Sequence, residues 1–184
     1  GIGVDNIDIE SATSKGIIVM NTPHGNSITT AEHTIAMIMS LARQIPDANV
    51  STKKGKWEKS KFVGTEITGK KLGLIGCGNI GSIVVDRAKG LKMNVQVYDP
   101  FLTDDKSKEL GIEKVSFENL LGTSDIISIH TPLTDSTRNI INSDNIYSIK
   151  KGAWIINCAR GGLIDEKALS DAINSNHIHG AAID

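Results

Sequence analysis

No run of about 18 apolar residues occurs in the 184-residue chain, so there is no candidate for a membrane-spanning helix. The longest apolar stretches, such as Leu72 to Ile75 and Ala153 to Ile156, are the size of strands. Cysteine is scarce too. Cys77 and Cys158 lie far apart and in no metal-ligand spacing, so no metal site is expected and a reduced, cytoplasmic protein is. Neither sign of charge dominates. Lys and Arg number 20 against 21 Asp and Glu, which excludes a field that would steer the whole molecule to nucleic acid or an anionic membrane. Internal repeats and low-complexity tracts are absent, and no stretch reads as a signal peptide. The chain opens on Gly1 without an initiator Met and stops at Asp184 straight after an apolar run. Ends of that kind lead us to expect a piece of a longer protein.

What is present is the balance of a globular domain: 39% hydrophobic and 22% charged residues, enough for one core and part of a second domain. From about residue 71 short apolar runs alternate with helical patterns. Leu72 to Ile75, Val95 to Tyr98, Ile126 to Ile129, Trp154 to Ile156 and Ala181 to Ile183 read as strands buried on both faces, with a weaker one near Ile112 to Val115. Ile80, Ile83, Val84, Ala88 and Leu91 share one helix face, as do Leu169, Ala172 and Ile173 behind Asp165 and Glu166. Such alternation predicts a doubly wound α/β fold with a parallel sheet. The first 70 residues differ. A short helix is expected over Asp8 to Lys15 and a strand over Ile17 to Met20. Thr29 and Glu32 have capping-box spacing ahead of a long helix striped by Ala31, Ile35, Ile38, Ala42 and Ile45. Pro46 should open another helix, and residues 51 to 69 a loop. The stripe on the long helix predicts a homodimer built partly on Ile35, Ile38 and Ile45.

Chemistry concentrates at a few loops. Gly76-Cys77-Gly78-Asn79-Ile80-Gly81 follows a strand and opens a helix, where Gly76 allows a tight turn, Gly78 lets a pyrophosphate approach and Gly81 lets helix and strand pack closely. The N–H groups of Asn79 and Ile80 would face that anion. The alternative is a purely structural turn. Asp99 stands 18 positions after Gly81, at the end of the next strand, where a carboxylate accepts from ribose hydroxyls and repels a 2′-phosphate. This points to NAD rather than NADP, unless Asp99 is only a turn acid before Pro100. Arg160 follows the strand ending at Ile156 and could grip a carboxylate with two parallel hydrogen bonds, or be a surface residue of the loop. His130 could be a base, although packing is the usual role of such a histidine. His24, His33, His177 and His179 read as structural or solvated. Lys53, Lys54, Lys56, Lys59 and Lys61 surround Trp57 in a basic loop, either solvated or in contact with a phosphorylated substrate.

Together these residues resemble a known family. The glycine motif, Tyr98-Asp99-Pro100, His130-Thr131-Pro132-Leu133, Asn157-Cys158-Ala159-Arg160-Gly161-Gly162 and Gly180-Ala181-Ala182-Ile183-Asp184 match, in order and spacing, the D-isomer-specific 2-hydroxyacid dehydrogenases. Further segments (Gly3-Val4-Asp5-Asn6, Asn21 to Ser27, Leu41 to Pro46 and Gly55 to Glu58) are similar to the branch acting on D-3-phosphoglycerate at the entry to serine biosynthesis. The resemblance implies a Rossmann-type NAD-binding domain over residues 22 to 184, with 1 to 21 the tail of a substrate-binding domain and the helix after Ser27 a dimer element. It implies that Gly76, Gly78, Asn79, Ile80 and Gly81 hold pyrophosphate and Asp99 the adenosine ribose. Tyr98, Pro100, His130, Thr131 and Pro132 would line the adenine side, and Cys158, Ala159 and Asp184 the nicotinamide end. Arg160 would be the catalytic Arg that orients the carboxylate of a small 2-hydroxy acid. Two departures stand out. Ile2 occupies a position where the family carries Thr, and the family's acid/base His and its Glu fall after the segment matched by Asp184. Relatives acting on glycerate, lactate or glyoxylate, or a non-enzymatic NAD-responsive corepressor, share this pattern.

Overall fold

Strands form where the apolar runs are. In the computed structural model, which describes residues 2–23 and 25–184, one sheet contains Lys71–Ile75 (β1), Asn94–Tyr98 (β2), Glu113–Lys114 (β3), Ile126–Ile129 (β4), Trp154–Asn157 (β5) and Gly180–Ile183 (β6). Gly1, and with it the first position of the expected 1 to 21 tail, lies outside the described residues, as does His24. All ladders are parallel, in the order β3-β2-β1-β4-β5-β6. A sheet of this kind needs cover on both faces, and β4 and β5 are buried at every residue. Successive side chains point to opposite faces. Leu72, Leu74, Ile126, Trp154 and Ile156 therefore enter one core, while Ile75, Ile127, Ile129 and Ile155 enter the other.

Helices close both cores. Ser27–Ala42 (α2) and Asn79–Gly90 (α4) cover the first through Ala31, Ile38, Val84 and Ala88. Phe117–Thr123 (α6) and Glu166–Asn174 (α7) cover the second through Leu120, Leu121, Leu169 and Ala172. Ile9–Ser14 (α1), Ile45–Lys53 (α3) and Asp104–Leu110 (α5) are peripheral. Four short helices start on side-chain caps: Asp8 for α1, Thr103 for α5, Ser116 for α6 and Asp165 for α7. From β1 the chain builds outward to β2 and β3, then returns to β4 on the other side. That reversal opens a crevice beyond the carboxyl ends of β1 and β4, the place where open α/β sheets bind ligands.

The first 70 residues carry the expected helices at α1, α2 and α3 but depart from expectation elsewhere. Residues 17 to 20 form no strand; Ile17, Ile18 and Met20 are exposed, and no neighbouring strand among the described residues offers them a ladder. The helix α2 begins at Ser27 with Asn26 as its cap, so Thr29 and Glu32 lie inside it and form no capping box. Its buried face is Ser27, Ala31, Thr34, Ile38 and Ala42. That face extends a turn earlier than the apolar stripe because packing on the sheet and on α4, rather than cap chemistry, sets the start of the helix. Ile38 is fully buried in its own chain and Ile45 stands outside the helix as the first residue of α3, so of the three residues expected at a dimer contact only Ile35 remains partly open on α2. The expected loop over 51 to 69 is partly helical. The helix α3 runs to Lys53, and Lys59–Lys61 form a 3-10 turn.

Candidate active site

The glycine loop leaves β1 by a turn that only glycine makes easily. Gly76 has φ +94°, and a Cβ there would stand 2.8 Å from the His130 carbonyl oxygen. At Gly81 a Cβ would stand 2.6 Å from the Gly76 carbonyl oxygen, so this glycine lets α4 press on the strand. Gly78 differs: a Cβ there meets nothing among the described residues within 4 Å. Its bare backbone faces open space, beside the first N–H groups of α4 at Asn79 and Ile80, which have no partner within the helix. This is the geometry of an anion site at a helix N-terminus.

Gly78, Asn79 and Ile80 line a cleft of about 810 Å3. His130, Thr131 and Pro132 border it after β4, Cys158, Ala159 and Arg160 after β5, and Asp184 after β6. The sheet thus brings ten of the expected site residues to one crevice. Gly76 and Gly81 sit behind it as structural supports. Tyr98, Asp99 and Pro100 lie at the end of β2, outside the cleft lining. There the Tyr98 ring packs against Phe117 with centroids 5.2 Å apart. Asp99 is nonetheless joined to the glycine loop, since its Oδ2 accepts from the Cys77 N–H at 2.7 Å and its Oδ1 from the Phe101 N–H at 2.8 Å. The turn role and a ribose role are compatible, because each carboxylate oxygen keeps a further lone pair.

Electrostatics sort the remaining candidates. Burial pushes His130 down to about 4, and its Nε2 shares a 2.8 Å hydrogen bond with the Ser128 hydroxyl. It is neutral at ordinary pH and already engaged, which suits a lining residue better than a base. Thr131 Oγ1 is buried and has no hydrogen-bond partner among the described residues. An orphaned hydroxyl at a cleft wall signals a missing polar ligand. Burial, helped by the Asp184 charge and opposed by a hydrogen bond from Thr34, raises the Cys158 thiol. Cys77 is raised to about 11 by burial first and Asp99 second. Neither is a thiolate nucleophile. Asn157 shapes the Arg160 loop, donating to the Arg160 carbonyl at 2.9 Å and accepting from the Ala159 N–H at 3.0 Å.

Several lining residues come from outside the sheet. Ile2 to Asp5, Asn26, Thr29, Thr30 and His33 form the wall facing the strand ends. Arg160 reaches that wall, its Nε donating to Asp5 Oδ1 at 3.1 Å. His33, expected to be merely structural or solvated, lines the cleft with its Nε2 3.7 Å from Asp184 Oδ1. Ile2 to Asp5 and Asn26 are marked only by the family resemblance, and no chemical signal in the sequence places Thr29, Thr30 or His33 at a site, because they meet the sheet only through the tertiary fold. His177 is structural as expected, bonded to the Ile149 carbonyl at 2.8 Å. Among the described residues, no lysine of the basic loop lines the cleft. Lys61 pairs with Glu58, and Trp57 is exposed.

The strand order, the glycine loop and the Arg160 loop meet their counterpart in one comparison. Residues 35–184 match the model of the D-isomer specific 2-hydroxyacid dehydrogenase, NAD binding domain. The chain belongs to that family. The D-3-phosphoglycerate dehydrogenase of Bacillus subtilis is 52% identical over all 184 residues, and the human protein of the same name 48%. The chain spans about a third of the length of these relatives, 35% and 34% respectively. Among solved structures, a D-lactate dehydrogenase from Aquifex aeolicus complexed with NAD and lactic acid superposes with a TM-score of 0.90 at 35% identity, covering the whole of this chain and 55% of that one. The glycine loop, the free helix N-terminus and the orphaned Thr131 hydroxyl fit the dinucleotide that the family's domain binds.

Proposed function

We propose that the chain is the NAD-binding part of an enzyme that oxidises D-3-phosphoglycerate to 3-phosphohydroxypyruvate in serine biosynthesis. The observation that carries this reading is the placement of Arg160 at the carboxyl end of β5, across one cleft from the glycine loop. The similarity supports the choice of substrate: identity to proteins named D-3-phosphoglycerate dehydrogenase is 46–52% over the whole chain, against 32–35% for the D-lactate dehydrogenase structures.

In this reading the N–H groups of Asn79 and Ile80 hold the pyrophosphate and Asp99 accepts from the adenosine ribose. His130, Thr131 and Pro132 wall the adenine side, with Tyr98 and Pro100 at its outer edge. Cys158, Ala159 and Asp184 border the nicotinamide end. Bound NAD supplies the hydride acceptor. Arg160 takes the substrate carboxylate through its planar fork and polarises the oxygen at C2. Movement of the hydroxyl proton falls to the Glu and His that the family pattern places after Asp184, consistent with a neutral, engaged His130. Residues 22 to 184 form the cofactor domain and 1 to 21 the tail of the substrate domain. The partners are a small 2-hydroxy acid and a second copy of the chain, and the location is the cytoplasm. With Ala31, Ile38 and Ala42 of the stripe buried, the dimer contact is best sought at Ile45, Val50, Trp57 and Val63, all exposed along α3 and the loop after it. Lys59 and Lys61 in that loop would then be placed to meet a substrate phosphate in the neighbouring subunit.

The test is a substrate panel on the full-length enzyme. Oxidation of D-3-phosphoglycerate with NAD should exceed that of D-glycerate and D-lactate in kcat/KM by at least tenfold. A preference for D-lactate or for glyoxylate reduction would replace this substrate with a relative's.

A further inference from the structure

The wall opposite the strand ends holds a contact that the cofactor does not explain. Arg160 and Asp5 are 155 positions apart in sequence, yet Nε of one lies 3.1 Å from Oδ1 of the other. The Arg160 Nη1 meanwhile donates to the Ala159 carbonyl at 2.8 Å. Two tethers on two different nitrogens fix the plane of a guanidinium. They leave both Nη2 donors and the second Nη1 donor unspent. Gly3 gives this end room. A Cβ on Gly3 would fall 1.8 Å from the Arg160 Nη2, although the Gly3 backbone lies in a region open to any residue. The segment itself is anchored. Asn21 Nδ2 donates to the Ile2 carbonyl at 2.9 Å, Ile7 N–H closes a turn on Val4 at 3.0 Å, and Asp8 caps α1.

We propose that Asp5 is a positioning residue, holding Arg160 by its Nε–H so that the Nη1/Nη2 end of the guanidinium is presented to the substrate carboxylate. The proposal rests on the reading of Arg160 as the carboxylate ligand. A side-on grip through Nε is closed to substrate by Asp5, so the carboxylate docks end-on against Nη1 and Nη2, the latter seated where Gly3 lacks a Cβ. The Asp5 carboxyl is held below the ordinary carboxylate range, first by its own backbone N–H and then by Arg160, so the tether is ionised at neutral pH. An unpaired Arg at this exposed position would sample many rotamers, and fixing them beforehand removes an entropic cost of substrate binding.

The contact can be watched without turnover. In 15N-labelled protein the Arg160 Nε–H cross-peak is identified by its loss in Arg160→Lys. Asp5→Ala should speed exchange of that proton with water by about tenfold or more, the scale of one charge-assisted hydrogen bond. Asp5→Asn keeps an oxygen acceptor without the charge and should restore part of the protection. Gly3→Ala leaves every charge in place but should move the same cross-peak by displacing Nη2. In the full-length enzyme, Asp5→Ala should raise KM for the hydroxy acid about tenfold and leave KM for NAD unchanged. Unaltered Nε–H exchange in a folded Asp5→Ala protein overturns the proposal. So does an equal rise in both KM values, which is the signature of a lost local fold. Undiminished turnover of Arg160→Lys overturns the reading of Arg160 itself, and then the Asp5 contact stands as structural only.

Discussion

The two ends of the cleft are built by different means. At the glycine loop the ligand-facing groups are backbone N–H and a side chain that is missing, all within one strand-turn-helix unit of adjacent residues. At the Arg160 end they are side chains gathered from the segments just after β5 and β6, the first turns of α2 and the segment before α1. The first end is specified by local conformation and tolerates almost no substitution that touches the backbone. The second depends on long-range contacts such as Asp5–Arg160 and His33–Asp184, where each partner is exposed. Local construction gives rigidity. Long-range construction gives a site that can be retuned for different acids on one scaffold.

The sharpest test of the side-chain end is Arg160→Lys in the full-length enzyme. Lys keeps the charge but loses the fork, so on the proposed reading the substrate carboxylate would no longer be fixed relative to C2. We expect kcat/KM to fall by about 10²–10³-fold, the usual scale for removing one preorganised donor of the transition state, with the melting temperature unchanged. The side chain is 41% exposed and its carboxylate pair contributes little to folding. A loss of stability comparable to the loss of rate would mean the end is built like the other one.

The backbone end is probed by two glycines three positions apart, Gly81 and Gly78: one supports the fold, the other faces the cleft. Gly81→Ala forces a Cβ to 2.6 Å from a carbonyl oxygen and must move α4, at a cost of roughly 1–3 kcal/mol in stability. Gly78→Ala has open space, so its fold should survive while NADH affinity drops by about tenfold or more, as the methyl group occupies the pyrophosphate approach. Calorimetric titration and thermal melts on both variants give the four numbers. Equal affinity losses with equal stability losses would erase the distinction between the two glycines.

This contrast also explains what could be read in advance. The strands β1, β4 and β5 are continuous apolar runs, and the glycine motif declares itself by position between β1 and α4. The caps Thr103 and Ser116 were legible in principle, but α5 and α6 are seven-residue helices, too short to show a stripe. Ile17 to Met20 is β-branched and apolar yet forms no strand, because a strand needs a partner edge that composition cannot supply. Thr30 and His33 look like ordinary surface residues in sequence, Thr29 like a helix cap, and Asp5 stands out only by its place in a family-like segment. Only the packing of α2 and the initial segment against the strand ends makes them part of a site.

His130 belongs to the wall between the two ends, and its protonation tests how dry that wall is. Its value in the fold is about 4, below the 6.5 of an unperturbed His, so the unfolded chain binds the proton more readily. The neutral form therefore contributes stability that is fully present above pH 6.5 and is lost as pH falls toward 4. The span corresponds to a loss on the order of 3 kcal/mol. Urea melts at pH 7.5, 6 and 5 should show this decline, and His130→Gln should remove most of it. A pH-independent midpoint in the parent protein would show that water reaches the ring.

The smallest effect concerns Asp99, where the two modes of construction meet. Its carboxylate accepts from the Cys77 and Phe101 N–H groups, so it pins the glycine loop in addition to its proposed role as ribose acceptor. Asp99→Ala removes both functions and should weaken NADH by about tenfold while weakening NADPH less, because the charge that repels a 2′-phosphate goes with it. Asp99→Asn separates the functions. The amide oxygen still accepts from one backbone N–H, so the loop stays partly pinned, but the repulsion is gone. We therefore expect Asn to narrow the NADH/NADPH gap with a smaller loss of NADH affinity than Ala. Fluorescence titration of both cofactors against the three proteins decides it. If Asn and Ala behave alike, the pin contributes nothing, and if the parent binds both cofactors equally, Asp99 does not select between them.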